Sequence, residues 1–172
     1  MHTRRSATAA SGFTLIEVIV VMTVMVIFML IALPNFRAWV VQQQIQSAVA
    51  RVEADLRLAR MTAINENGPA AIRFQAAPGT GYEVFIDDGA GGGIARNLQR
   101  DGGETLVVSR TLDNGIVFSA VDFNGGVAMS FNGRGLKALP ATGPAQVVLE
   151  NHVGTRYRIR VSPAGSIDVS RL

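Results

Sequence analysis

One carboxylate in this chain sits where a carboxylate is expensive. Glu17 opens an apolar run, Val18 to Leu33, of sixteen residues in which Thr23 is the only polar side chain. A charge near one end of an otherwise uncharged segment costs a few kcal/mol in a bilayer, so it needs a partner or a job, unless the carboxylate is protonated or snorkels to the headgroups. A second cluster lies near the other end of the chain. Arg156, Arg158 and Arg160 alternate with Tyr157, Ile159 and Val161. On a strand this puts three guanidinium groups on one face and three apolar groups on the other. Such a stripe can meet phosphates, with affinity that falls as salt rises. The same pattern also describes an amphipathic strand with a solvated face, or a contact to a neighbouring protein. Arg134 and Lys137 are further cations of this half, which the sequence does not place relative to the stripe.

Other chemistry finds little material. The chain has no cysteine, and His152 stands alone in its downstream part, which argues against a zinc site and against thiol chemistry. Serines are scattered, with no G-x-S-x-G elbow. No enzyme is expected, and no cofactor. Asp87 and Asp88 precede a glycine run and offer hard oxygen ligands suited to calcium. Such a site needs six to eight oxygens, and the loop offers few further carboxylates before Asp101 and Glu104. A solvated loop is the commoner explanation, and no metal is expected.

The elements that must carry these residues emerge from composition and periodicity. Phe13 to Leu33 spans twenty-one residues, about 30 Å as a helix, which matches the hydrocarbon thickness of a bilayer. Arg4 and Arg5 precede the segment and Arg37 is the first charge after it, so the N-terminus is expected in the cytoplasm. Phe36 and Trp39 fall just outside the span, at interfacial positions. The net charge of +3 is mostly a leader effect, although from Arg134 onward six basic residues face only Glu150 and Asp168.

Past Pro34 a helical period resumes. Ile45, Val49, Val52, Leu56, Ala59 and Ala63 recur at spacings of four and three, giving one apolar stripe. Gln42, Gln43, Gln44, Arg51, Glu53, Asp55 and Arg57 are expected on the polar faces. Asn67-Gly68-Pro69 supplies left-handed cap chemistry and a stop. The rest of the chain reads as eight short strands over 71–76, 82–86, 105–112, 116–120, 127–131, 146–151, 156–161 and 166–169, separated by Gly, Pro and Asn turns. The glycine-rich stretch 87–103 is expected to be a long mobile loop.

Gly12, then Phe13-Thr14-Leu15-Ile16-Glu17 and an apolar run, resembles the class III signal of type IV pilins and type II secretion pseudopilins. That resemblance implies cleavage by a prepilin peptidase between Gly12 and Phe13 and N-methylation of Phe13. It makes Glu17 the fifth mature residue, neutralising a neighbouring subunit's N-terminal amine during assembly. Pro34 matches the proline that bends the N-terminal helix in many pilins. Leu56-Arg57-Leu58-Ala59-Arg60 with Ala63-Ile64, Phe131-Asn132-Gly133-Arg134-Gly135 and the arginine-rich strand before Gly165 are similar to the GspH/FimT family of minor pilins and minor pseudopilins.

The family resemblance implies an α+β fold, a long kinked N-terminal helix packed on a C-terminal domain of antiparallel sheets. The expected organisation is a cleaved leader over 1–12, a transmembrane and assembly helix over 13–34, an amphipathic helix over 35–68 and a β-rich domain over 69–172. The implied function is that of a structural subunit of a type II secretion pseudopilus or type IV pilus. It would reside in the bacterial inner membrane with its domain outside the cytoplasm. Its partners would be other pilin or pseudopilin subunits, the prepilin peptidase and the membrane. The alternative is a DNA-binding minor pilin used in DNA uptake, with Arg156, Arg158 and Arg160 as the contact residues.

Overall fold

The computed structural model describes residues 12–172, with the side chains of 31–35 outside that description. Apart from Gly12, the expected leader lies outside the described residues. The chain is α+β. One helix, α1 (Leu15–Asn65), is followed by β1 (Ala70–Phe74), β2 (Gly81–Ile86), β3 (Leu106–Thr111), β4 (Val117–Phe123), β5 (Ala128–Phe131), β6 (Lys137–Leu139), β7 (Ala145–Glu150), β8 (Arg156–Val161) and β9 (Ile167–Arg171). It divides into two compact units, Met1–Val41 and Gln42–Leu172.

In the first unit α1 begins at Leu15, and its apolar side chains are solvent-facing from Leu15 to Leu30. Among the described residues no helix is long and apolar enough to cross a membrane. The expected span over 13–34 draws also on residues 31–35, whose side chains are not described. Pro34 lies within α1, where its ring nitrogen cannot donate to the helical ladder.

The second unit is built from the rest of α1 and two antiparallel sheets. Five strands pair in the order β3-β2-β1-β5-β6 and four in the order β4-β7-β8-β9. The helix contributes the stripe that periodicity predicts: Ile45, Val49, Val52, Leu56, Ala59 and Ala63 are all buried. They meet Ile72, Phe74, Val84, Met129 and Phe131 from the first sheet and Phe118, Val147, Leu149 and Ile159 from the second in one core. Phe74 anchors it, stacking on Tyr82 and Phe123 and meeting the edge of Phe118 at 5.1 Å. Burying each such side chain is worth about 1.5–3 kcal/mol, which fixes the helix on the sheets.

The helix ends as its last residues dictate. Asn67 takes the left-handed conformation (φ 47°), and the Gly68 N–H donates back to the Ala63 carbonyl at 3.1 Å. That bond satisfies a carbonyl orphaned by the helix end.

Three expectations need correction. Asp55, read as a polar-face residue, is buried, because two partners from the sheet reach it. Lys137–Leu139 form a ninth strand, three residues long and too short to show alternation. The 87–103 stretch is a hydrogen-bonded structure rather than a slack loop. The Asp87 carboxylate accepts N–H groups of Asn97 and Leu98, Asp101 accepts from Ile94 and Asn97, and Glu104 accepts from Gly89 and Asp101.

Candidate functional site

The N-terminal segment is organised by Thr14. Its Oγ1 accepts the Glu17 N–H at 3.3 Å and its carbonyl accepts the Val18 N–H at 3.3 Å, so Thr14 caps α1. Thr14-x-x-Glu17 has the spacing of a capping box, a local signal that the sequence carried and that the apolar run overshadowed. Glu17 is exposed in the first turn, where the helix dipole favours negative charge. A Cβ on Gly12 would meet nothing within 4 Å, so nothing described in the chain demands glycine there.

Phe13 is 83% exposed, and every apolar residue from Val18 to Leu30 is between 42% and 70% exposed. No face of this segment is covered. A helix that is apolar all round belongs in a membrane or inside a protein assembly. Phe36 and Trp39, paired at 5.8 Å, are exposed as well.

At the other end, β8 carries the arginine stripe, and its alternation holds. Ile159 and Val161 enter the core, and the Tyr157 hydroxyl accepts a hydrogen bond from Gln42 at 2.9 Å. The three arginines on the opposite face are not equivalent. Arg156 is paired with Glu150, Nε to Oε2 at 2.8 Å and Nη2 to Oε1 at 3.2 Å. This pairing holds the Glu150 carboxyl below its usual range. Arg158 is half-buried, opposite Val148 and Ser170, and its Nε has no partner among the described residues. Arg160 is exposed, opposite Gln146 and Asp168. Lys137 is buried, its ammonium donating to the Gly143 carbonyl. Among the described residues Arg158 and Arg160 make no ion pair, so the stripe presents two guanidinium groups besides the paired Arg156.

The remaining polar clusters hold the fold. Asp55 Oδ2 accepts from the Tyr82 hydroxyl at 2.7 Å and from Arg110 Nε at 2.6 Å, tying α1 to β2 and β3. Burial, then the Asp55 carboxylate, pushes the Tyr82 phenol far above its usual pKa. Burial likewise raises Asp87, with the N–H groups of Leu98 and Asn97 pulling the other way. The carboxylates considered for calcium are thus engaged by backbone donors. Among the described residues no group of three or more acidic, His or Cys side chains is placed to hold a metal.

The three short motifs of the domain converge on Arg60. Its Nη1 donates to the Gly165 carbonyl at 3.0 Å. A Cβ on Gly135 would meet Arg60 Nε at 2.9 Å, and one on Gly165 would collide with the Gly135 carbonyl. The helix motif and both glycine turns are one packed junction.

This architecture has known counterparts. The family model for type II transport protein GspH matches residues 48–165, and that for the prokaryotic N-terminal methylation motif matches residues 8–33. No curated protein sequence matches the chain significantly. Among solved structures, the type IV minor pilin FimU of Pseudomonas aeruginosa superposes with a TM-score of 0.57 at 16% identity, covering 75% of this chain and 90% of FimU. The minor pseudopilin EpsH from the type 2 secretion system of Vibrio cholerae gives 0.53 at 12% identity, covering 73% and 95%. At such identities the structures show a shared fold, and the family match shows kinship. The chain belongs to the GspH family, whose members are structural pilin and pseudopilin subunits rather than enzymes.

Proposed function

We propose that this chain is a minor pilin or minor pseudopilin, a membrane-anchored subunit that joins a pilus or pseudopilus through its N-terminal helix. One observation carries the reading. A methylation motif over 8–33 covers the start of α1, where the apolar residues from Val18 to Leu30 are exposed and the first turn carries Glu17. Prepilin peptidase cleaves between Gly12 and Phe13, and the new amine of Phe13 is methylated. Nothing among the described residues demands glycine at position 12, which supports a requirement imposed by another protein. The segment 13–34 resides in the inner membrane with Gln42–Leu172 outside the cytoplasm, and then packs against the same segment of other subunits. Moving apolar surface from lipid to protein gives little drive, so helix packing and a pair between Glu17 and a neighbour's amine supply the specificity. Pro34 bends the helix between its membrane and domain portions.

Intact-mass measurement of protein from native membranes tests the processing. The expected chain begins at methylated Phe13; a retained leader to Gly12 refutes it. The DNA-uptake alternative is weakened by the pairing of Arg156 with Glu150, which leaves Arg158 and Arg160 for phosphate contacts.

A further inference from the structure

A pocket of about 320 Å³ opens beside the end of α1, on the face of the five-stranded sheet that looks away from the helix. Its rim and walls come from four separate segments: Asn67 to Pro69 after the helix, Arg96 from the long loop, Asn132 and Gly133 after β5, and Ala138 and Leu139 on β6. Ser130 also lines it. This serine is 1% exposed, and its hydroxyl has no hydrogen-bond partner among the described residues. A buried hydroxyl left unpaired is unfavourable, so it marks a place where a partner from outside the chain is favoured.

The composition of the lining limits what that partner is. No lining residue is acidic. Arg96 supplies the single cation, and neither an ion pair nor a side-chain hydrogen bond engages its guanidinium within the described residues. The backbone N–H of Arg96 is fixed to the Asp87 carbonyl at 3.1 Å, which anchors this part of the loop to the sheet. The Asn132 Oδ1 is already committed to the N–H groups of Arg134 and Leu136, leaving its amide nitrogen as a donor. Pro69, Ala138 and Leu139 give apolar wall. Donors with one cation, set against a short apolar wall, are complementary to a carboxylate carried on a small apolar stem.

We infer that this pocket binds such a carboxylate, with Arg96 and Ser130 as its principal donors. The ligand is the acidic or C-terminal residue of a peptide, or a free small carboxylic acid; both present the same group. The inference is independent of the fibre reading, because it rests on the pocket alone.

Titration of the isotope-labelled full chain in detergent micelles, followed by amide NMR, tests it at constant pH and ionic strength. Propionate is the probe and propionamide its uncharged counterpart. Propionate should give saturable shifts at Ser130, Gly133 and Ala138, with a dissociation constant on the order of 1–10 mM for so small a ligand. Propionamide should bind at least about tenfold more weakly, since it lacks the charge that strengthens the hydrogen bonds. Arg96→Gln and Ser130→Ala should each weaken propionate by about tenfold. Arg96 is exposed, so its variant keeps the fold if the serine variant does not. An alanine dipeptide with a free C-terminus, compared with its amide, identifies the source. Tighter binding of the free dipeptide than of propionate indicates a peptide, and equal binding indicates a small acid. Shifts that rise linearly without saturation, or that are identical for propionate and propionamide, overturn the inference.

Discussion

Removing the Tyr82 hydroxyl should destabilise the domain by an amount that its geometry sets. Asp55 is 4% exposed and its Oδ2 receives two donors, Tyr82 at 2.7 Å and Arg110 at 2.6 Å. Tyr82→Phe deletes one hydrogen bond to a charged acceptor while Arg110 keeps the carboxylate paired. The expected loss is about 1.5–3 kcal/mol. Arg110 is 42% exposed at its side chain, so solvent screens its share and Arg110→Gln should cost less, about 1 kcal/mol. Asp55→Ala removes the acceptor from both donors and strands a buried hydroxyl, so it should cost more than Tyr82→Phe. The double variant should cost less than the sum of the two, because they break the same bond.

Urea melts of the full chain in micelles, read by the near-UV signal of the domain, measure these differences as midpoint shifts at constant slope. There is also a pH signature. The folded Tyr82 phenol titrates well above its ordinary value, first because of burial and second because of Asp55. Folding is therefore favoured by the protonated phenol. That contribution is complete below the unfolded value near 10 and is lost as pH rises toward the folded one. The absorbance of phenolate should show Tyr82 ionising only as the domain unfolds. A Tyr82→Phe variant within 0.5 kcal/mol of the parent, the smallest effect the assay should resolve as a hydrogen bond, refutes the account of this network.

The remaining expectations concern assembly, the arginine face and the glycine junction. Glu17→Ala should still insert, since an apolar side chain costs less in the membrane, but should be depleted from sheared fibres; equal incorporation with the parent counts against the pairing role. If Arg158 and Arg160 contact phosphate, low-salt DNA binding should show a log–log salt slope of about −1.8, flattening by about 0.9 in Arg160→Ala and unchanged in Arg156→Ala. A chain that retains no DNA at low salt leaves the stripe as strand surface. Gly165→Ala and Gly154→Ala both place a Cβ at positive φ, which costs about 1–2 kcal/mol, but only at Gly165 does it also strike the Gly135 carbonyl and Arg60. Thermal melts should therefore rank Gly165→Ala well below Gly154→Ala, and equal melting temperatures would show that the junction yields freely.

The features legible in the sequence are those that repeat along the chain. The stripe from Ile45 to Ala63 is buried as its spacing requires, because a helix converts a period of three and four into one face without help from the rest of the fold. The alternation in β8 holds for the same reason, with period two setting the face. Pairings across the fold leave no such periodic trace. Asp55 sits at a position that looks polar in a helical projection, and its burial depends on Tyr82 and Arg110, 27 and 55 residues away. Glu150 is six residues from Arg156, yet it meets that arginine because β7 and β8 are antiparallel neighbours in register. The loop from Asp87 looks slack when its glycines are counted, while what orders it is the set of carboxylates that accept its N–H groups. Gly135 and Gly165 show where the two kinds of information meet. Each lies in a turn that its own neighbours suggest, but the reason for glycine is the arginine on α1 against which both turns close. Short motifs far apart in a chain thus become informative when one residue needs all of them, and here that residue is Arg60.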